Sequence, residues 1–461
     1  MKKDSLYFLI FFIFAYFALI LLLTFTQKTE FEILKTSTFE IIKREKEDKR
    51  KEEFSQKEVK REREKGEKTK ESKEVRDDIV LISQLDKSLI SEKIEQGKDF
   101  LLRMEEGGGF HKYYYPLEDK LEPRLHTPYS ASIVLTFFYY LDFKEDQKIL
   151  ENLPKYGEFL LSMQNKEKKH FGAFHYSFFL KKKEKEKKFV VGTTALTIFT
   201  LLKFYDFTGE EKYLEAAKLG GDWLMTMQEN DGKMRAYVRF SDGKWLYGKK
   251  ESLLYEGQVL TALSRLYSAT KEEKYKITAQ KIAERFYQKY EKERDYIQGE
   301  YRPKNPISNA WVVYSLREFY QIERKEKYKK VVFELAERIL KDQRTKNDPL
   351  KRGSFKGVYS SSGVGWISEV MAETFRFCQK EQRKDCEKYK KAVIEAMRWI
   401  IQFTISKEKS QNLKNPERAI GSIFWSKDKK FVRTDIVCHA LNSYLRIYDF
   451  LEEGILLSLS E

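Results

Sequence analysis

The sequence predicts an all-α fold: an (α/α)6 toroid of six helical hairpins, preceded by one transmembrane helix and a charged linker. Three observations support this prediction. A helical phrase repeats about six times at roughly 50 to 70 residue intervals, an apolar run lies near the N-terminus, and a highly charged stretch separates the two. The expected domains are a membrane anchor at residues 1–28, a linker at 29–78, disordered or partly helical, and the toroid at 79–461.

The anchor prediction depends on residues 6–25, which are uncharged, mostly apolar and preceded by Lys2 and Lys3. At about 1.5 Å per residue, a helix of this length spans a hydrocarbon core of roughly 30 Å. A cleavable signal peptide is the alternative, but the run is longer than a usual signal core and no Ala-x-Ala site follows it. We therefore expect a single-pass membrane protein whose toroid lies on the extracytoplasmic side.

The linker prediction comes from residues 44–78, which contain almost no apolar side chains and mix both charge signs. Such a segment cannot bury a core, although Glu and Lys four residues apart favour partial helix. We expect a solvated spacer that holds the toroid away from the bilayer.

The toroid prediction comes from two alternating kinds of helix. One kind is apolar or small on nearly every side, which is typical of a helix packed all round. The other kind combines an apolar stripe with Lys and Glu and is typical of an outer helix. Six copies of each allow a closed ring, whose inner helices begin near Tyr129, Thr193, Tyr255, Ser308, Gly365 and Thr434.

The composition restricts the possible partners. A net charge of +16 suits an anionic partner such as an acidic polysaccharide. A surface rich in Lys and Glu, with 35% charged residues, is also typical of thermophiles. The sequence has no nucleic-acid-binding motif. Cys438 and His439 supply only one pair of ligand types, whereas a zinc site needs three or four, so we expect no metal and no cofactor.

The three cysteines exclude a disulfide-rich scaffold. Cys378 and Cys386 flank one turn between an inner and an outer helix. They could form a local bridge in an oxidising compartment, or all three cysteines could be reduced and mostly buried. Both alternatives stay open at this point.

A binding site is expected where the inner helices begin, because free backbone N–H groups and helix dipoles converge there. Aromatic rings mixed with amides and charged groups are suited to holding sugars. The predicted substrate-binding residues are His126, Tyr129, Tyr255, Gln258, Asn309, Trp311, Trp366 and Arg433.

Four residues are candidates for catalysis. Glu256 and Glu369 interrupt otherwise apolar helices, so each is either functional or a structural acid paired with an arginine. Asp435 and His439 lie four residues apart, where the carboxylate could orient the imidazole. Arg433 could bind a substrate carboxylate. The alternative for this segment is a capped helix start in which Arg433 pairs locally.

Several of these features resemble one known superfamily. They are the six hairpins, the Tyr-Glu-Gly-Gln entry at Tyr255, the Asp-Trp-Leu-Met-x-Met-Gln pattern at residues 222–228, and the Arg-x-Asp-x-x-x-His pattern from Arg433. Together they resemble the (α/α)6 toroids of the six-hairpin glycosidase type over about residues 85–451. That group includes glycoside hydrolases, unsaturated glucuronyl hydrolases, polysaccharide lyases and sugar epimerases.

The resemblance implies a carbohydrate substrate, possibly acidic. A hydrolase would use two carboxyls about 5–5.5 Å apart for retention, or about 6.5–9.5 Å apart for inversion. A lyase or epimerase would instead use a Tyr or His base, with Arg433 neutralising a uronate. The alternative is a non-catalytic, membrane-tethered toroid that binds a glycan or a protein, because fold alone does not imply function.

Overall fold

The computed structural model describes residues 84–301, 304–346, 348, 350–451 and 455–456. The predicted anchor and linker lie outside these residues. Within the described part of the chain, no helix is long and apolar enough to cross a membrane.

Twelve long helices form two concentric layers within the described residues. The inner helices are α2 (Thr127–Phe143), α4 (Val191–Thr208), α6 (Leu253–Thr270), α8 (Pro306–Ile322), α10 (Ser361–Lys380) and α14 (Thr434–Ile447). The outer helices are α1 (Lys87–Arg103), α3 (Gln147–Ser162), α5 (Glu211–Thr226), α7 (Glu273–Glu293), α9 (Glu326–Leu340) and α11 (Glu387–Ile401). Two single-turn helices, α12 (Lys407–Ser410) and α13 (Pro416–Ala419), lie in the last connection.

Each inner helix packs on the next, and α14 packs back on α2, so the inner ring is closed. This arrangement confirms the predicted toroid of six hairpins. The inner helices are buried over most of their length, whereas the outer helices bury one stripe and expose charged residues. Side-chain caps start several helices: Asp86 caps α1, Asp146 caps α3, Asn305 caps α8 and Ser360 caps α10.

The structure also contains small β-sheets, most of whose strands precede the first three inner helices, that the all-α prediction did not include. The strands are β1 (Gln84–Leu85), β2 (Glu105–Glu106), β3 (Gly109–Phe110), β4 (Tyr113–Tyr115), β5 (Lys120–Leu121), β6 (Arg124–His126), β7 (Ser177–Phe179), β8 (Glu184–Lys185), β9 (Lys188–Val190), β10 (Tyr237–Ser241), β11 (Lys244–Tyr247), β12 (Val432–Arg433) and β13 (Ile455–Leu456). They are short and sit in connections, so helical periodicity does not reveal them.

Three of these sheets follow one rule. The strand just before an inner helix pairs antiparallel with the hairpin that precedes the next inner helix around the ring. Strand β12 pairs with β4 and β5, β6 with β7 and β8, and β9 with β10 and β11. These sheets therefore surround the ends of the ring at which α14, α2, α4 and α6 begin.

The ring closes where the first and last long helices meet. Outer helix α1 packs on the last inner helix α14, and β1 pairs with β13. Gly421, in the last connection, has a φ of +83°, and a Cβ atom there would lie 1.9 Å from the carbonyl oxygen of Gln96 in α1. The closure therefore requires a residue without a side chain at this position.

The structure contains a disulfide bond between Cys378 and Cys386, whose Cα atoms are 5.6 Å apart. It closes the turn between α10 and α11. Cys438 is a buried free cysteine.

Candidate functional site

The N-terminal ends of the inner helices surround a cavity of about 580 Å³, which we call the front cavity. Its walls come from all six inner helices and from the connections that precede α4, α10 and α14. Nine of the predicted site residues line it: Tyr129, Tyr255, Gln258, Trp311, Trp366, Glu369, Arg433, Asp435 and His439.

His439 is held by Glu369. Its Nδ1 lies 2.7 Å from Glu369 Oε2, and Asn442 Nδ2 donates to Glu369 Oε1 at 3.0 Å. A carboxylate can only accept, so Nδ1–H is the donor of this bond, and in the tautomer that makes it Nε2 is an acceptor. Among the described residues, Nε2 has no hydrogen-bond partner, and the side chain keeps about 20% of its surface exposed. The sequence predicted this orienting role for Asp435, and the structure corrects it to Glu369.

Asp435 is paired with Arg433 instead. Arg433 Nε and Nη2 each donate to one oxygen of Asp435 at 2.6 Å, and Ser362 Oγ donates to Asp435 Oδ2 at 3.0 Å. Burial would raise the pKa of Asp435, but the guanidinium overcomes this effect and holds the pKa below its ordinary value. The pair is therefore ionised at neutral pH, and Asp435 has no proton to donate.

Aromatic rings form the walls of the front cavity. Trp311 and Trp366 are stacked with their ring centroids 3.9 Å apart, and the Trp366 ring lies 5.2 Å from the His439 ring. Before α14, Arg433 lies over the Trp425 ring at 4.5 Å. Burial raises the pKa of Tyr129 well above its ordinary value, so this phenol is protonated at neutral pH.

Three lysine side chains lie in or next to the cavity wall. Lys429 is exposed and lines the cavity. Lys112 Nζ lies 5.0 Å from the centre of the Tyr129 ring, and Lys188 Nζ lies 4.6 Å from the centre of the Tyr176 ring. Both tyrosines line the cavity, so cationic groups lie close to its wall.

Glu256, predicted to be catalytic, does not line the front cavity. Its Oε1 accepts from the backbone N–H of Met234 at 3.0 Å. Burial, together with the nearby Glu251 carboxylate, raises the pKa of Glu256 to about 8. The acid therefore holds the connection before α6 in place, and we no longer assign it to catalysis.

Asn309 holds the preceding connection in the same way. Its Oδ1 accepts from the backbone N–H of Ile297 at 2.8 Å, just as Ser130 and Thr194 accept from earlier connections. Asn309 does not line the front cavity, so its predicted substrate contact is corrected to a structural role. It and Glu256 occupy equivalent positions near the starts of successive inner helices.

His126 was also predicted to bind substrate, and it too lies outside the cavity lining. It is only 1% exposed, and its Nε2 lies 3.2 Å from Glu122 Oε2. Burial lowers the pKa of His126, although Glu122 opposes the change. The ring packs edge-on against Tyr176 and supports that wall from behind.

Sequence reasoning missed several residues of the site. Asn442 follows His439 by three residues, so helical spacing places it on the same face and could have revealed it. Tyr176 and Trp425 lie in connections before inner helices, and the helical repeat does not specify the course of those connections. Ser362 is the second residue of α10. Within the described residues, no group of three or more His, Cys, Asp or Glu side chains is placed to hold a metal ion.

Comparison with known proteins agrees with this geometry. The family model of the ulvan lyase N-terminal domain matches residues 153–362. A cellobiose 2-epimerase from Bacillus thermoamylovorans B4167 superposes with a TM-score of 0.63 at 15% identity, over 79% of this chain and 100% of that one. This chain has the six-hairpin glycosidase-like fold.

Other six-hairpin toroids superpose as well. An unsaturated glucuronyl hydrolase specific for heparin gives a TM-score of 0.58 at 12% identity, covering 79% of this chain and 98% of that one. An α-mannanase of family GH76 from Bacteroides thetaiotaomicron gives 0.56 at 13% identity, covering 78% and 96%. A search of curated proteins found no matching sequence. The six-hairpin fold of this chain is thus shared with epimerases, hydrolases and mannanases.

Proposed function

We propose that this chain is a carbohydrate-active enzyme that abstracts a proton from an acidic sugar unit in the front cavity, with His439 as the general base. The observation that carries the proposal is the bond between Glu369 and His439 Nδ1. It directs the basic Nε2 toward a cavity large enough for a sugar. A carboxylate-oriented imidazole of this kind is a common proton acceptor.

The chemistry fits a uronate unit. His439 Nε2 would take the proton from the carbon next to the carboxylate. In elimination, the electron pair of that C–H bond forms a carbon–carbon double bond, and the neighbouring C–O bond to the leaving sugar breaks. The leaving oxygen then takes a proton from Tyr129. In epimerisation, the same carbon is instead reprotonated on its opposite face.

Hydrolysis through two carboxyls is supported less well. That reaction needs one protonated acid beside the scissile bond. Asp435 is ionised and bound to Arg433, and Glu369 accepts from Asn442 and faces His439. Glu256 lies outside the cavity. Neither of the two carboxyls in the front cavity is therefore a natural proton donor, whereas the Tyr129 hydroxyl carries a proton at neutral pH.

An acidic substrate is supported by charge. Lys429 lines the cavity, and Lys112 and Lys188 contact tyrosines of its wall, while the two acids of the cavity are already partnered. The net charge of +16 also belongs mostly to residues 79–461, because residues 1–78 contribute 19 Lys and Arg against 17 Asp and Glu. Cationic surfaces of this kind attract polyanions and raise their association rates.

We also propose that residues 6–25 tether the enzyme to a membrane, with the toroid on the extracytoplasmic side. The bond between Cys378 and Cys386 supports this orientation, because disulfides persist in oxidising compartments. The neighbouring structures support an oligosaccharide or polysaccharide as the substrate, since the names of two of them specify a glucuronyl hydrolase and a mannanase.

The test is a turnover screen of the full chain with uronate-containing and neutral polysaccharides, using three readouts. Elimination gives ultraviolet absorbance together with new reducing ends. Epimerisation in D2O gives deuterium incorporation without either signal, and hydrolysis gives reducing ends alone. We expect one of the first two results, lost in His439→Gln and reduced by at least about 100-fold in Glu369→Gln.

The matched control is His126→Gln, which removes a buried histidine outside the cavity and should keep turnover. Reducing ends without absorbance, unaffected by His439→Gln, would refute proton abstraction. Binding without turnover of any substrate would favour the non-catalytic alternative, for which the aromatic walls around Trp311 and Trp366 are already suited.

A further inference from the structure

A second cavity, of about 780 Å³, lies at the opposite end of the inner ring, where the inner helices end. We call it the back cavity. Lining residues such as Asp142 in α2, Gln321 in α8 and Arg446 in α14 come from the last turns of their helices. None of the residues assigned to catalysis lines it.

The back cavity is lined by a network of partly buried ions. Glu318 accepts from Arg265 at 3.1 Å and from Arg317 at 2.6 Å. Glu373 accepts from Arg317 at 3.1 Å and from Arg446 at 2.8 Å. The network therefore holds three guanidinium groups but only two carboxylates.

Both carboxylates are ionised, so the excess positive charge is real. Burial would raise the pKa of Glu318 and of Glu373, but the surrounding arginines hold both pKa values below the ordinary one. Arg265 and Arg446 each keep 22% of their side-chain surface exposed to the cavity region. An uncompensated charge in a partly buried site is costly unless a counter-ion binds there.

We propose that the back cavity binds a small anion with carboxylate or phosphate oxygens, independently of the front cavity. Guanidinium groups match these oxygens in bidentate geometry, and Arg376 adds a further cation to the lining. The negative ends of the inner helix dipoles oppose such binding. The arginines outweigh them because they carry full charges.

The site also touches the floor of the front cavity. Tyr139 and Phe199 line both cavities. Arg446 lies over the Tyr139 ring at 4.1 Å, and Arg265 lies over the Phe199 ring at 4.8 Å. Arg265 also donates to the Tyr314 hydroxyl at 2.9 Å. A bound anion would thus hold in place the cations that support this floor.

The test is calorimetric titration of the full chain with inorganic phosphate and, separately, with citrate, at constant ionic strength set by chloride. We expect saturable binding of at least one of the two, and the tighter one identifies the preferred oxygens. Arg265→Gln balances the buried charges and should weaken binding at least about tenfold. Glu318→Gln increases the positive excess and should tighten binding several-fold.

The two substitutions should shift anion affinity in opposite directions. In a purely structural network they would not, so the pair separates an anion site from such a network. Arg376→Gln, at an exposed lining position, should weaken binding about threefold even if Arg265→Gln fails to fold. Lys429→Gln, in the front cavity, should leave phosphate affinity unchanged. No saturable binding by the wild-type chain, or weakening by Lys429→Gln alone, overturns the proposal.

Discussion

Glu256→Gln should make the toroid more stable at alkaline pH. The carboxyl of Glu256 is buried, and its pKa is raised from 4.5 to about 8. The folded state therefore keeps a proton that the unfolded state releases above pH 4.5. The stabilisation is fully present below that pH and is lost as the pH rises through 8.

The magnitude follows from the pKa change. A rise of about 3.5 pKa units at roughly 1.36 kcal/mol per unit lowers the unfolding free energy on the order of 5 kcal/mol once Glu256 is ionised in the folded state. Gln keeps the acceptor for the Met234 N–H but cannot ionise. Relative to the variant, the wild-type chain should lose about 4 kcal/mol of unfolding free energy between about pH 5 and pH 9.

The assay is chemical denaturation of both chains at several pH values, followed by circular dichroism. Glu215→Gln, on the exposed side of α5, is the control and should follow the wild type at every pH. Turnover should survive in Glu256→Gln, because the residue lies outside the front cavity. A constant difference between wild type and variant across the pH range, or loss of turnover with an intact fold, would refute our reasoning.

Three further outcomes are expected. Replacing both Cys378 and Cys386 with Ser should lower the unfolding free energy by about 2 kcal/mol, the value for a short closed loop, and thiol titration of the unreduced wild type should find one free thiol. Gly421→Ala should lower the unfolding free energy by more than about 3 kcal/mol, because its Cβ meets a backbone carbonyl. Gly209→Ala, whose surroundings are open, should lower it by only about 1 kcal/mol through backbone strain. Tyr359→Ala should leave the thermal midpoint unchanged, because the side chain is 82% exposed, yet should raise KM about two- to tenfold if its ring contacts the sugar in the front cavity.

The sequence predicted the two layers of the toroid well, because a helix buried on all sides and a helix buried on one side differ in hydrophobic periodicity. It also predicted which residues of α10 and α14 face the front cavity. Asp435, His439 and Glu369 lie in the first, second and third turns of their inner helices, and depth along a helix can be counted from the sequence.

The sequence could not show which of those residues are hydrogen-bonded to each other. Asp435 is nearer to His439 in the sequence, but Glu369 reaches the imidazole from a neighbouring helix, and side-chain direction across a helix interface depends on packing. The sequence also did not reveal the structural role of Glu256, for a related reason. Its position near a helix start is shared by Ser130, Thr194 and Asn309, which bind connections rather than substrate, and only the backbone course of those connections reveals this.

The pairing of β1 with β13 and the packing of α1 on α14 bear on how the chain matures. Outer helix α1 is the first long helix of the toroid to be synthesised, yet its inner partner α14 is the last of the described long helices. The first helix must therefore keep its apolar stripe uncovered until α14 has emerged. A chain truncated before α14 would lose one wall of the ring and also leave α1 without its partner, so we expect the synthesis of α14 to precede any stable intermediate that contains α1.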